Sequence, residues 1–158
     1  VICYLRPLHE MVMNGNSNFG KEENLLLLLS GLIENYSQPS LSYIPECRQE
    51  IEKVCMFMEQ HFAERIYLDQ LCRQEGLSKS TLLRAFTKSK GITPYRYLET
   101  IRINEAKKLL SNGVSLPDAA MRTGFFDQSH FTNYFTSFIG LAPGMYREIF
   151  FEKDKGGE

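Results

Sequence analysis

The sequence predicts an all-α fold, and three observations carry that expectation. From Cys47 onward the apolar residues recur at helical spacing, and no alternating strand pattern intervenes. The helical stretches are separated by short punctuation made of Gly, Pro and capping Ser, Thr or Asp, around residues 76–78, 91–94, 112–117, 124–127 and 140–143. One block of helix, turn and helix occurs twice, 48 residues apart at first and 49 later on.

Taken in order, Val1–Leu5 is a short β-type run, and Pro7–Met13 is a helical pattern that stops at Asn14-Gly15. A second helix is expected over about 20–36, with Glu22 and Glu23 in its first turn, where acids suit the helix dipole. Its apolar residues, Leu25 to Leu29, Leu32 and Ile33, cover more than one face. Such a helix must pack, either within this chain or against a partner helix or a further domain. Ser37–Pro45 holds two prolines and three serines and reads as a linker.

Ile51, Val54, Cys55, Met58 and Phe62 then set a helix of about 47–62. Leu68–Glu75 is a short helix stopped by Gly76, and Ser78 caps a helix of about 79–89 that Gly91 closes. Thr93 and Pro94 open a long helix of about 94–111, Pro being favoured at the first helical position. Ser115 caps the next, with Pro117 in its first turn and Gly124 at its end. Asp127 caps a helix of about 128–139 ended by Gly140, and Pro143–Phe150 forms the last. The expected division is 1–38, a linker at 39–46, a main domain at 47–150 and a polar tail at 151–158.

Composition narrows the function. The chain has 158 residues, 43% of them apolar, and its longest purely apolar run, Leu25–Leu29, is far too short to span a membrane. The start, Val1-Ile2-Cys3-Tyr4, has no initiator Met, basic n-region or signal-peptide core, so a cytoplasmic chain cut from something longer is expected. The four cysteines, at 3, 47, 55 and 72, form no C-x-x-C pair and are expected to be reduced rather than to bind zinc. No G-x-S-x-G, H-E-x-x-H or P-loop is present, so neither an enzyme nor a cofactor is expected. The net charge of −1 hides an asymmetry: residues 1–46 carry −3, residues 47–150 carry +3 and residues 151–158 carry −1. The middle block is the part suited to a polyanion.

The repeat reads Leu68-x-x-Leu71-Cys72-x-x-x-Gly76-Leu77, then Leu82, Phe86, Gly91, Pro94 and Tyr97. Its second copy reads Leu116-x-x-Ala119-Ala120-x-x-x-Gly124-Phe125, then Phe131, Phe135, Gly140, Pro143 and Tyr146, with one residue inserted in the turn. A slim residue (Cys72, Ala120) lets two helices cross closely, a glycine four positions on takes the left-handed bend, and the next apolar residue plugs the gap. The second helix buries Leu82 and Phe86, or Phe131 and Phe135, at i and i+4. This is the construction of a helix-turn-helix unit, here two of them joined by one long helix, a homeodomain-like arrangement.

Opposite its buried face, the second helix of the first copy offers Lys79, Ser80, Thr81, Arg84, Thr87 and Lys88. Between Glu75 and Glu99 stand five bases and no acid. That pattern suits insertion beside phosphates, the alternative being an ordinary solvated face. Arg84 is the expected base reader, bidentate to guanine; Ser80 and Thr81 reach base edges or phosphates from the helix N-terminus. Lys79, Lys88 and Lys90 are expected phosphate contacts. The second copy has no Lys, Arg, Asp or Glu from Gln128 to Tyr146. Its Gln128, Ser129 and Asn133 can read bases and its Thr132 and Thr136 can meet phosphate; alternatively this unit binds weakly and positions the domain. His130 could contact phosphate or be structural, and His9 and His61 are read as structural. The connecting helix, at roughly 27 Å, approaches one DNA turn, so helices 79–89 and 128–139 are expected to enter successive major grooves.

At these residues the chain resembles a known family. GLSKSTLLRAFTKSKGITPYRYL, RINEAKKLL and GFFDQSHFTNYFTSFIGLAPGMYR are similar to the AraC/XylS DNA-binding domain over about 100 residues. The resemblance implies seven helices, two helix-turn-helix units and sequence-specific promoter binding by a transcription regulator, with RNA polymerase as an expected partner. It places Ser80, Thr81, Leu83 and Arg84 at base-facing positions of the first unit, and Gln128, Ser129 and Asn133 at those of the second. The stretch RPLHEMVMNG…KEENLLLLLSGLIENY is similar to the helical pair that follows a cupin-like effector barrel in this family. That implies a helical remnant at 1–38, homodimer formation through residues 7–36, and an effector domain whose ligand these residues do not name. Two other classes compete: a helical protein-interaction module without DNA binding, and a fragment of a DNA-repair methyl acceptor.

Overall fold

A computed structural model describes residues 18–36 and 47–153. Among the described residues there are eight helices and no strand. They are α1 (Asn18–Tyr36), α2 (Arg48–His61), α3 (Leu68–Glu75), α4 (Lys79–Lys90), α5 (Pro94–Ser111), α6 (Leu116–Arg122), α7 (Gln128–Ile139) and α8 (Pro143–Lys153). The β-type run at 1–5, the helical pattern at 7–13 and the linker at 39–46 lie outside the described residues. At the other end, α8 continues past residue 150 to Lys153, so the expected polar tail begins inside a helix. No described helix is long and apolar enough to cross a membrane.

The chain divides into two compact units, and α5 runs as one unbroken helix of 18 residues from the first into the second. The first unit holds α1, α2 up to Gln60, α3, α4 and the start of α5 as far as Tyr97. Its core gathers Ile51, Val54, Cys55 and Met58 of α2, Leu68, Leu71 and Cys72 of α3, and Leu82, Leu83, Ala85 and Phe86 of α4, all buried. These positions sit at i, i+3 and i+4 on each helix, which is why three short amphipathic helices suffice to enclose them. Cys47, Cys55 and Cys72 are free and buried.

The helix α1 belongs to this first unit and packs against both α3 and α4. Phe19 is buried edge-on against Tyr95, with ring centroids 5.6 Å apart, and Gly20 lies so close to the Tyr95 ring that an added Cβ would fall 2.7 Å from it. Glu23 is buried and accepts the Tyr95 amide at 2.9 Å, satisfying one of the free N–H groups at the start of α5. Burial pushes its carboxyl from the ordinary 4.5 up to about 7, against the opposing pull of Thr93, the Tyr95 amide and Arg96. On the outer side of α1, Leu25 and Leu29, one turn apart, are exposed. Of the apolar residues expected to cover more than one face, Leu28 is buried and Leu25 and Leu29 face outward.

The second unit comprises residues 61–65 and everything described from Leu98 onward. Its core is Ile103, Ala106 and Leu110 of α5, Ala119 and Ala120 of α6, Phe125, Phe131 and Phe135 around α7, and Tyr146 of α8. The aromatic rings meet edge to face, Phe125 with Phe131 at 5.2 Å and Phe135 with Tyr146 at 5.4 Å. Each fully buried ring contributes about 2–3 kcal/mol by leaving water. Arg102, itself buried, donates to the carbonyls of Phe62 at 2.8 Å and Glu64 at 2.9 Å, which ties the 61–65 segment to α5. Buried Glu99 accepts the hydroxyl of Tyr134 on α7.

The sequence repeat is also a backbone repeat. Gly76 and Gly124 follow α3 and α6 with φ of +65° and +77°, and Gly91 and Gly140 follow α4 and α7 with φ of +74° and +82°. The Leu77 amide reaches back to the Cys72 carbonyl at 3.0 Å, and the Phe125 amide reaches the Ala120 carbonyl at 3.0 Å. The glycines are not equivalent in space, however. A Cβ on Gly124 would fall 2.8 Å from the Ala63 carbonyl oxygen and 2.9 Å from that of Phe62, whereas nothing lies within 4 Å of one on Gly140. Gly140→Ala should therefore cost only the left-handed backbone penalty, about 1–2 kcal/mol, while Gly124→Ala should cost about 3 kcal/mol or more. Denaturant midpoints of the two variants check this; equal losses would show that the approach of the 62–63 backbone contributes nothing.

Candidate nucleic-acid interface

Each unit prepares its second helix by the same local chemistry. In the first, the Ser78 hydroxyl caps α4 by accepting the Thr81 amide at 3.2 Å and also pairs with the Thr81 hydroxyl at 2.8 Å. In the second, the Asp127 carboxylate caps α7 by accepting the His130 amide at 2.6 Å. Both caps have extended backbone, φ −72° and ψ 156° at Ser78 and φ −147° and ψ 163° at Asp127, as an N-cap requires. Leu82 and Phe86 are fully buried on α4, and Phe131 and Phe135 on α7. The faces left outside are therefore set by the helical period.

On α4 these are Ser80, Lys88 and Ser89, exposed, with Lys79, Thr81, Arg84, Thr87 and Lys90 half-buried. Leu83 is not among them. It was expected at a base-facing position, and it is only 2% exposed. Leu83 belongs to the core of the first unit, on a helix that α1 also packs against and whose Lys79, one turn earlier, ion-pairs with Glu22 of α1. Two of the three expected phosphate lysines also have carboxylate partners. Lys79 is held by Glu22 and by Asp69 at 2.9 Å, which push its ammonium up to about 12. Lys90 is held by Glu52 of α2 at 2.7 Å and is likewise pushed up. Lys88 stands exposed. The absence of acids between residues 75 and 99 thus understates the negative charge around α4, which arrives from α1, α2 and α3.

On α7, Gln128, Ser129, Asn133 and Thr136 are exposed, and Thr132 is half-buried. The Thr136 hydroxyl donates to the Thr132 carbonyl at 2.7 Å. His130 sits among aromatic rings, with centroids 5.6 Å from Phe125 and 6.1 Å from Tyr134. Burial lowers its pKa, Asp127 opposing and Arg102 adding to the effect, so near neutral pH the ring is an uncharged part of the packing. That environment favours its structural reading over phosphate contact. One feature of this surface escaped the sequence reading. The residue inserted in the second turn is Phe126, and its side chain is 94% exposed directly ahead of the Asp127 cap. The insertion was legible in the repeat; its outward side chain was not, because Phe125 beside it is buried.

Two helix pairs hinged at left-handed glycines, each presenting a capped second helix with a polar outer side, define a helix-turn-helix DNA-binding protein. A family model described as a helix-turn-helix domain matches residues 71–149. The chain belongs to the AraC/XylS family of transcription regulators. It is 51% identical over 127 residues to the uncharacterised HTH-type transcriptional regulator YbfI of Bacillus subtilis, a match covering 80% of this chain and 46% of that protein. It is 32% identical over 125 residues to the HTH-type transcriptional activator RhaS of Escherichia coli, covering 78% of this chain and 42% of that one. The chain thus spans less than half the length of these curated relatives. Among solved structures, it is similar to the DNA-binding domain of the transcriptional factor AdpA in complex with a target DNA, at TM-score 0.64 and 25% identity, covering 68% of this chain and 97% of that one. It is also similar to the C-terminal domain of AraT, a response regulator from Geobacillus stearothermophilus, at TM-score 0.60 and 25% identity, covering 70% of this chain and 88% of that domain.

Asp127 caps the first turn of α7, so its loss should act first there. Asp127→Ala is expected to destabilise the chain by about 1 kcal/mol and to speed amide hydrogen exchange at the start of α7. Unchanged exchange there would show that the cap does not hold the helix.

Proposed function

We propose that this chain is the DNA-binding region of a transcription regulator that recognises a promoter sequence by inserting α4 and α7 into major grooves. The observation that carries the reading is the duplication in backbone geometry: two glycine turns of matching φ, two capped second helices and two buried aromatic or aliphatic pairs beneath polar outer faces. The similarity to a domain bound to its target DNA supports it. Entry into successive grooves on one side of the duplex is the form of binding that the length of α5 suggests.

In this reading Arg84 reads a base from α4, assisted by Ser80 and Thr81, and Gln128, Ser129 and Asn133 read bases from α7. Leu83 drops out of the base-reading set while it is buried. Lys88 meets phosphate directly, Lys79 and Lys90 do so once their carboxylates release them, and Thr132 and Thr136 supply neutral phosphate contacts. The first unit then supplies the salt-dependent part of binding, because α7 has no charged side chain from which to release counterions. Residues 47–150 form the DNA-binding domain, joined through a linker at 39–46 to the helical end of a sensor domain at 1–38, with a tail from 151 to 158. The exposed pair Leu25 and Leu29 supports a homodimer contact within residues 7–36. RNA polymerase as a partner follows from the regulator role, and the buried free cysteines fit a reducing, cytoplasmic setting.

Selection of bound duplexes from a random pool, followed by mobility shift at several salt concentrations, tests the reading. Recovery of a common sequence whose affinity falls with salt is expected; recovery of nothing, or salt-independent association, would overturn it. On the selected duplex, Arg84→Ala should cost about 1–3 kcal/mol and relax one base position. An unaltered base preference would remove Arg84 from the reading role. Lys88→Ala should weaken all sequences alike and lower the salt slope by about 1. A loss confined to one sequence would refute its assignment to phosphate.

A further inference from the structure

The contact between α1 and the first helix-turn-helix unit is specific on two sides of the helix start. On one side Phe19 is buried against Tyr95, Gly20 admits no side chain beside that ring, and buried Glu23 accepts the Tyr95 amide. Leu28 continues the buried face. From the same turn Glu22 reaches to α4 and ion-pairs with Lys79, which Asp69 of α3 also engages. This helix packs on α4 and engages it at Lys79; Leu83, one turn further on along the same side, is buried. A helix entering a groove needs that side open. Instead, a carboxylate occupies the ammonium at its leading end, where a phosphate would stand, and the leucine behind it is enclosed. The charge balance points the same way: residues 1–46 carry −3 against +3 for residues 47–150.

We propose that α1 is an autoinhibitory helix: seated on the first unit, it competes with DNA for the Lys79–Leu83 side of α4, and that unit engages a groove only when α1 leaves. The proposal rests on the reading of α4 as a groove-entering helix. It makes Phe19, Gly20, Glu22 and Glu23 the residues that hold the unit closed. Any event that draws α1 away, including an alternative packing for its exposed Leu25 and Leu29, would release Lys79 and uncover that side of α4 together.

Two variants unseat α1 without touching the proposed DNA-reading residues. Gly20→Leu drives a side chain into the Tyr95 ring while raising helix propensity, and Glu22→Arg turns an attraction to Lys79 into a repulsion. The probes are duplexes recovered from a random pool with the wild-type chain and with Gly20→Leu, with binding read by fluorescence anisotropy and α1 seating by amide hydrogen exchange. Both variants should lose protection over α1 and bind about tenfold tighter, as expected when a closed form that is roughly nine-tenths populated is removed. Adding the duplex to the wild-type chain should likewise strip protection from α1. Lost protection with unchanged or weaker affinity would overturn autoinhibition and leave the DNA-binding reading standing. Protection retained in both variants would overturn it equally, by showing that these contacts do not seat α1. Failure of every chain to recover a duplex would sink the DNA-binding reading itself.

Discussion

The structure depends on a backbone constraint more than on any side-chain contact. Where α3 meets α4 and where α6 meets α7, the chain must turn sharply within a few residues, and in each case a glycine at positive φ takes part in the turn. In that conformation a Cβ would crowd the following carbonyl, at a cost of about 1–2 kcal/mol. Once the turn is made, the following helix is committed: its cap, its buried i and i+4 pair and hence its outward face all follow from where the turn leaves the chain. The polar surface of α4 and that of α7 are consequences of Gly76 and Gly124 as much as of their own residues.

Two units with the same backbone plan differ in how they are held together. The first closes over an aliphatic and sulfur-containing core and surrounds α4 with ion pairs to α1, α2 and α3. The second closes over rings packed edge to face, and within it Glu99 accepts from Tyr134 while Arg102 donates to the carbonyls of Phe62 and Glu64. Buried charges without such partners would cost several kcal/mol. The outcome is a charged, adjustable surface on α4 and a neutral one on α7. Ion pairs between exposed side chains are weak and screened by salt, so the carboxylates around α4 can yield to a stronger anion in a way that the interior pairs of the second unit cannot.

Much of this was legible in the sequence because it is local. The sequence marks Gly76, Gly91 and Gly140 as helix stops, and they are left-handed; it marks Ser78 and Asp127 as caps, and they accept the expected amides; it assigns Leu82, Phe86, Phe131 and Phe135 to the core, and they are fully buried. Gly124 was read as ending α6, and the helix stops just before it, at Arg122. What escaped was set by distant partners. Leu83 is buried on a helix that also receives α1, and Lys79 and Lys90 meet Glu22 and Glu52 from α1 and α2. No spacing within 79–90 contains that information. Glu23 shows the same limit: read as an ordinary first-turn acid, it is buried against the start of α5. The burial of Phe125 and the full exposure of Phe126 differ by a single residue in a turn, where hydrophobicity alone assigns both to the interior.

The place where Gly124 meets the backbone of Phe62 and Ala63 has a consequence for how such chains diverge. Two strands of main chain touch there with no side chain between them, so the spacing cannot be adjusted by exchanging one residue for a slightly larger one. Phe126, two residues on and exposed, meets no such constraint. The turn is a pivot that descendants inherit whole or must rebuild from both sides at once.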